Sequence, residues 1–314
     1  MSAPVNVENF AVAETHRMMS DLQRDAGGVN RFRHNREPAA IEHQTVIRLN
    51  RDTLYSFAVV DIRAGATLTI PDHGDRYLSA MVVNERHYVD AVFHDPGEYR
   101  LTTERFGTPY VVVAVRILVD PEDQADVAVV TALQDQLGID SASAEPFPLP
   151  GDDPADLDET RGALLTLARN LRGFDRMFGA EAEVDPIRHL IGTAAGWGGL
   201  PSWEAQYIGV DPRLPRGRYE LRVIDVPVDG FWSISVYNAD GFFEPNDRGA
   251  YTINNITGVP DDDGAITVRF GDHPDGVPNV IPIPEGWNYL VRLYRPRPKL
   301  LDGSWTFPAL QRSV

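Results

Sequence analysis

Asp-Gly pairs cut the last third of the chain into short apolar runs, and this punctuation limits the fold more than any other feature. Asp229-Gly230, Asp240-Gly241 and Asp263-Gly264 separate residues 219–223, 231–237, 265–270 and 287–294. Both positions of such a pair tolerate positive φ, so they read as hairpin turns between antiparallel strands. The first half is punctuated in the same way. Strand patterns at 54–62, 67–70, 77–83, 89–93 and 110–118 are broken by Pro71-Asp72-His73-Gly74-Asp75 and Asp95-Pro96-Gly97, residues that favour turns. Thr45, Val46, Ile47 and Leu49 also read as strand. Strands this short and closely spaced imply antiparallel sandwiches or barrels rather than a parallel sheet with crossover helices.

Helical patterns interrupt the strands at few places. Phe10, Ala13, Met18 and Leu22 recur at helical spacing over residues 8–26, with Gly27-Gly28 as the stop. His16 falls off that stripe and reads as solvated. Asp120-Pro121 is expected to open a helix carrying Val127, Val130, Leu133 and Leu137. After a proline- and aspartate-rich linker, residues 155–178 form the strongest helical pattern. Leu157, Leu164, Leu167, Leu171, Phe174 and Phe178 are expected to make one buried stripe. Asp185-Pro186 starts a short helix with Ile187 and Leu190, ended by Gly196-Trp197-Gly198-Gly199. A chain of 314 residues exceeds what one ordinary core serves. The expected organisation is a helix plus β domain over 1–140, a linker and helical segment over 141–210, and a C-terminal β domain over 211–314.

Composition removes whole classes of chemistry. There is no cysteine, which excludes thiol nucleophiles, thiolate metal sites and disulfides together. One lysine, Lys299, stands among 29 basic residues, and its proline-bracketed setting suits neither a Schiff base nor pyridoxal phosphate. Glycine-rich phosphate loops and the serine-elbow motif are absent, so no cofactor is expected. A formal net charge of −17 repels phosphate backbones and anionic lipid, arguing against nucleic-acid or membrane partners. No apolar run reaches a membrane-spanning length and no secretory signal is visible, so cytoplasmic residence is the expectation. A small-molecule ligand and self-association complete the expected partners.

Longer motifs carry a resemblance. Asn50-Arg51-Asp52-Thr53-Leu54-Tyr55-Ser56 resembles the hallmark of domain-of-unknown-function family 1254. Residues 226–238, Val-Pro-Val-Asp-Gly-Phe-Trp-Ser-Ile-Ser-Val-Tyr-Asn, resemble family 1214, as do 286–296 and Asp302-Gly303-Ser304-Trp305. The two domains occur together in bacterial proteins. The resemblance implies a mainly β, α+β protein with two antiparallel jelly-roll-like β-sandwich domains joined by a helical segment. It implies no reaction; the hydrolase label some members carry finds no serine elbow here.

Three constellations could carry chemistry. Asn50, Arg51, Asp52 and Thr53 form a polar island between apolar runs, followed by Tyr55. Buried charge is costly unless paired, so the island reads as a catalytic or clamping group of Arg51, Asp52 and Tyr55, with Asn50 binding substrate. A structural ion-pair network at the strand entry explains it as well. In the 231–237 strand, Trp232, Ile234 and Val236 share a core face, whereas Phe231, Ser233, Ser235 and Tyr237 share a face suited to a pocket. Ser233, Ser235, Tyr237 and Trp232 are therefore further substrate-binding candidates, against an ordinary sheet face. Asn246, Asn254 and Asn255 read as turn formers. No metal site is expected; Glu85 and His87, alternating onto one strand face, are the weak candidates. His73 and His273 sit in turns and read as exposed, whereas His189 reads as helix packing. The five tryptophans read as core or, more sharply, as a carbohydrate platform. Two functions follow: a small-molecule enzyme using acid–base or hydrolytic chemistry in a β-domain pocket, or a non-catalytic small-molecule or carbohydrate-binding protein.

Overall fold

The structure, a computed structural model, describes residues 2–44, 47–149, 151–171 and 173–313. It is α+β and mostly sheet, and the chain divides into two compact units. Unit one comprises Met1–Arg36, Leu54–Val119 and Gln124–Ser202; unit two comprises Glu37–Thr53, Asp120–Asp123 and Trp203–Val314.

Unit one begins with α1 (Phe10–Ala26), which ends where Gly27 takes φ 71°. Then come β1 (Arg33–His34), β2 (Thr53–Asp61), β3 (Ala66–Ile70), β4 (Leu78–Asn84), β5 (Val89–Phe93) and β6 (Gly97–Leu101). They are followed by α2 (Thr103–Phe106), β7 (Tyr110–Leu118), α3 (Gln124–Gln134), β8 (Gly138–Ser141), α4 (Pro154–Ala168) and α5 (Pro186–Gly196). The antiparallel order β1-β2-β7-β4-β5 makes one sheet and β6-β3-β8 another. Their inner residues, including Val60, Leu68, Val82, Val113 and Ile117, close one core together with Val130 of α3. Each such side chain, fully buried, contributes about 1.5–3 kcal/mol relative to exposure. A second cluster joins Phe10 and Ala13 of α1 to Leu157, Leu164 and Ile191 of α4 and α5.

Unit two contains β9 (Ala205–Val210), β10 (Tyr219–Val223), β11 (Trp232–Tyr237), β12 (Thr252–Asn254) and β13 (Ile266–Phe270). It continues with β14 (Val280–Ile281), β15 (Asn288–Tyr294), α6 (Pro298–Leu301) and β16 (Gln311–Arg312). The sheets β14-β13-β10-β16 and β12-β11-β15-β9 share a core of Leu221, Trp232, Ile234, Val268, Phe270, Trp287 and Val291. Gly241 and Gly264 take φ of 86° and 82°, but only Asp240-Gly241 lies between strands that pair, β11 and β12. Asp229-Gly230 and Asp263-Gly264 connect strands of different sheets, so they are crossover turns and not the expected hairpins.

Several expectations shift. The long helix stops at Ala168, where Asn170 and Leu171 bond back only three residues and Gly173 and Arg176 turn to positive φ. Leu167 is consequently 60% exposed and Phe174 44%, so the single buried stripe does not form. Asp120 caps Glu122 N at 3.0 Å in a local turn, and the helix starts at Gln124 instead. Residues 47–48 form a turn rather than a strand; Thr45 and Val46 lie outside the described residues. Strand β9 lies in a stretch read as helical, and α4 and α5 belong to unit one.

Candidate functional site

Period-two alternation lays out the site in unit two. In β11, Trp232, Ile234 and Val236 enter the core, and in β15 so do Tyr289, Val291 and Leu293; the intervening residues take the opposite face. The antiparallel register sets Ser233 opposite Arg292 and Tyr237 opposite Asn288. On the other flank β12 sets Asn254 opposite Ser233 and Thr252 opposite Ser235. This face is closed to solvent. Ser233, Ser235, Tyr237 and Asn254 are all fully buried, with Ile41 and Leu49 packed near Tyr237, Phe243 and Leu290.

Arg292 organises the layer. Its Nη1 donates to Ser235 Oγ at 2.7 Å, and its Nη2 donates to Tyr237 Oη at 2.7 Å, Arg48 O at 2.8 Å and Leu49 O at 3.2 Å. Tyr237 Oη donates in turn to Leu49 O at 2.8 Å. A buried guanidinium loses several kcal/mol of hydration, so this many acceptors are what make it tolerable. Burial opposes the charge of Arg292, but Tyr237, Tyr294 and Asp52 outweigh it and raise its pKa. Burial likewise raises the Tyr237 phenol, against the pull of Arg292.

From Arg292 a chain of donors leads to Asp52. Ser235 Oγ donates to Thr252 Oγ1 at 3.1 Å, and Thr252 Oγ1 donates to Asp52 Oδ1 at 3.1 Å. Asn254 Nδ2 donates to the same Oδ1 at 3.1 Å. Asp52 N is anchored on Asn50 Oδ1 at 3.0 Å, while Asn50 Nδ2 donates to Thr53 Oγ1 at 3.1 Å and Tyr294 Oη at 3.3 Å. Asp52 is fully buried, yet among the described residues its Oδ2 meets no hydrogen-bond partner, and neither does Ser233 Oγ. Both orphans neighbour Asn254. Leaving a buried polar atom so costs about 1–3 kcal/mol.

The structure thus gathers Asn50, Asp52, Ser235 and Tyr237 into one network and brings Ser233 beside it. It separates the other candidates. Arg51 turns to Ala39 O and to Glu122, at 3.1 Å, and lies 5.6 Å over the Tyr251 ring; its Nε has no partner among the described residues. Tyr55 belongs to unit one, stacked on Phe57 at 5.7 Å with Arg116 5.4 Å over its ring. Trp232 faces the core, as does Trp287, so these two cannot form a carbohydrate platform.

Glu85 and His87 do not alternate along a strand, because β4 ends at Asn84 and His87 takes φ 65°. His87 is fully buried; its Nε2 accepts from Gly198 N at 2.9 Å, so its Nδ1 donates to Thr193 Oγ1 at 2.8 Å. Burial, and then His189, hold its pKa well below the usual histidine value. Glu85 accepts from Tyr110 N at 3.0 Å and lies 3.4 Å from His16, which is therefore no solvated bystander. Among the described residues no three His, Cys, Asp or Glu side chains are grouped to hold a metal ion. His273 is 9% exposed, and both His73 nitrogens lie near carbonyl oxygens, of Arg76 and His94; neither matches its expected exposure. His189 is buried, as its reading as helix packing requires.

Arg292, Thr252 and Tyr294 are not among the candidates read from the sequence. Asn254 does form the turn expected of it, accepting from Ile256 N at 3.0 Å and Thr257 N at 2.9 Å, besides donating to Asp52. Arg292 did leave a signal: a lone charge inside the apolar run 288–294 demands a buried partner.

Known proteins bear on the fold alone. Residues 29–94 match the family "Protein of unknown function (DUF1254)" and residues 212–298 match "Protein of unknown function (DUF1214)". The VPA0106 protein of Vibrio parahaemolyticus is similar in structure, with a TM-score of 0.76 at 17% identity, covering 98% of each chain. A putative uncharacterized protein of Burkholderia cenocepacia is similar at TM-score 0.54 and 15% identity, covering 96% of this chain and 86% of the other. No curated protein matches the sequence.

Proposed function

We propose that this chain, which pairs a DUF1254 region with a DUF1214 region, is a small-molecule enzyme whose acid–base group is Asp52. The observation that carries the reading is the asymmetry of that carboxylate. Oδ1 is held by Thr252 and Asn254, whereas Oδ2 is buried and unpartnered among the described residues. The donors fix the orientation of the group, and Oδ2 is left to take a proton from a bound water or substrate. Arg292, through Ser235 and Thr252, supplies the positive charge that balances the buried site. Ser233 Oγ, the other orphan, would bind a polar group of the substrate. The hydroxyls serve as relay and binding groups, since no base or elbow activates them as nucleophiles.

The reading extends to a soluble cytoplasmic protein acting without nucleic acid or membrane, consistent with its acidic charge and with the absence, among the described residues, of any helix long and apolar enough to cross a bilayer. The test is a turnover screen over small esters, amides and lactones, repeated with Asp52→Asn. That variant keeps an acceptor for Thr252 and Asn254, so folding, checked by circular dichroism, should hold. Loss of turnover by roughly 10²–10⁴-fold is expected for a general base. Unchanged turnover would remove Asp52 from the chemistry, and no turnover of any of these substrates by the wild type would favour the binding-protein reading.

A further inference from the structure

A second feature of unit two stands apart from the Asp52 layer. A surface cleft of about 490 Å³ opens among Arg48, Asp211, Glu285, Trp287 and Asn288, a size suited to a small organic ligand. Its polar groups are unevenly satisfied. Asn288 is 6% exposed, and its Nδ2 donates to Asn238 O at 2.6 Å. That bond settles the amide orientation, because the reverse would set two carbonyl oxygens against each other. Among the described residues Asn288 Oδ1 is then a buried acceptor without a donor.

Arg48 supplies the opposite need. Its backbone is pinned at both ends, with N donating to Gly241 O at 2.7 Å and O accepting from Arg292 at 2.8 Å. It holds φ 55° between them, a conformation uncommon for a residue with a side chain and enriched at ligand sites. The guanidinium lies along the bare backbone of Gly209, where a Cβ would stand 2.8 Å from Nη1. Among the described residues it forms no ion pair: Asp211 is taken by Arg213 at 3.3 Å, and Glu285 is exposed.

We propose that this cleft binds a zwitterion of the amino-acid type, its carboxylate on Arg48 and its ammonium donating to Asn288 Oδ1 beside Glu285. A simple anion would leave the Asn288 acceptor bare and meet two carboxylates. A simple cation would leave Arg48 unanswered. A ligand with one charge of each sign and N–H donors satisfies all three groups, and Arg with carboxylate is the pairing of strongest geometry. None of these side chains belongs to the Asp52 network, so the inference does not depend on Asp52 being catalytic.

The experiment is calorimetric titration of the intact protein with free L-amino acids, their carboxamides and their N-acetyl derivatives. At least one free amino acid should bind, and removing either the carboxylate or the ammonium should weaken it by about tenfold or more. Arg48→Asn removes the guanidinium with a residue that tolerates positive φ and should weaken binding as much. Gly209→Ala keeps the charge but displaces it and should also weaken binding. No heat from any amino acid at millimolar concentration overturns the proposal. So does equal binding of the blocked derivatives, or wild-type affinity in Arg48→Asn. Binding should persist in Asp52→Asn, and its loss there would overturn a site separate from the Asp52 layer.

Discussion

His87 in unit one and Asp52 in unit two are both ionisable groups buried beside a sheet, and they are finished in opposite ways. His87 has a partner for each ring nitrogen, Thr193 and Gly198, with His189 at 5.3 Å and Trp197 at 5.4 Å stacked near its ring. Every polar need is met inside the protein, which is the arrangement of a structural residue. Asp52 is saturated on one oxygen and bare on the other. Equal burial therefore does not mean equal satisfaction: His87 has every hydrogen bond met inside the fold, and the unmet acceptor of Asp52 is the difference on which its proposed role rests.

The sharpest way to break this comparison is to remove the charge that balances Asp52. Arg292→Leu should destabilise unit two by about 3–5 kcal/mol, because it leaves Asp52 buried without compensation. Arg292→Leu combined with Asp52→Asn should recover part of that loss in denaturant melts. If the double variant is no more stable than the single, the two charges are not coupled through Ser235 and Thr252.

A smaller effect tests unit one. Since the folded pKa of His87 lies below its usual value, both folded and unfolded forms are neutral above about pH 6.5, and the stability is complete there. Below that pH the unfolded chain takes up a proton that folded His87 refuses. Stability should then fall by up to about 1.4 kcal/mol per pH unit, until the folded pKa is reached. The titratable group facing His87 is His189, whose like charge would add to the penalty. Burial lowers His34 and His273 too, so the diagnostic is the slope lost in His87→Asn relative to wild type. An unchanged slope would remove His87 as the source.

The smallest effect compares two serines two residues apart. Ser235→Ala breaks the relay and should cost about 1–2 kcal/mol, as a hydrogen bond to a charged group does. Ser233→Ala removes a hydroxyl that bonds nothing among the described residues and should raise stability by about 1 kcal/mol, by lifting the cost of an unmet buried polar group, yet lower affinity for any substrate. Equal stability losses would mean that Ser233 is structural.

Much of the strand framework was legible because local chemistry dictates it. The alternation of Trp232, Ile234 and Val236 with Ser233, Ser235 and Tyr237 assigns two faces without reference to anything distant. The Asp185-Pro186 cap acts on its own neighbours, Ile187 N and Arg188 N, at 3.0 Å. Illegible were features set by what arrives from elsewhere. The 155–178 pattern overreached because periodicity cannot tell which apolar residues will find a surface to cover. Strand β9, with Gly209 inside it, exists because β15 offers an edge to pair with.

The sequence by itself determined the α+β class, the places where strands break and the polar face of β11, since each depends on contacts between residues close in the chain. Only the tertiary structure decided that Asp52 meets Asn254, 202 residues away, or that Arg292 meets the carbonyl of Arg48 across 244. It also decided that Arg51, next to Asp52 in sequence, turns to Glu122 instead. Burial makes partners obligatory for such groups, but sheet register and chain path choose which partner, and neither is encoded in any local stretch of residues.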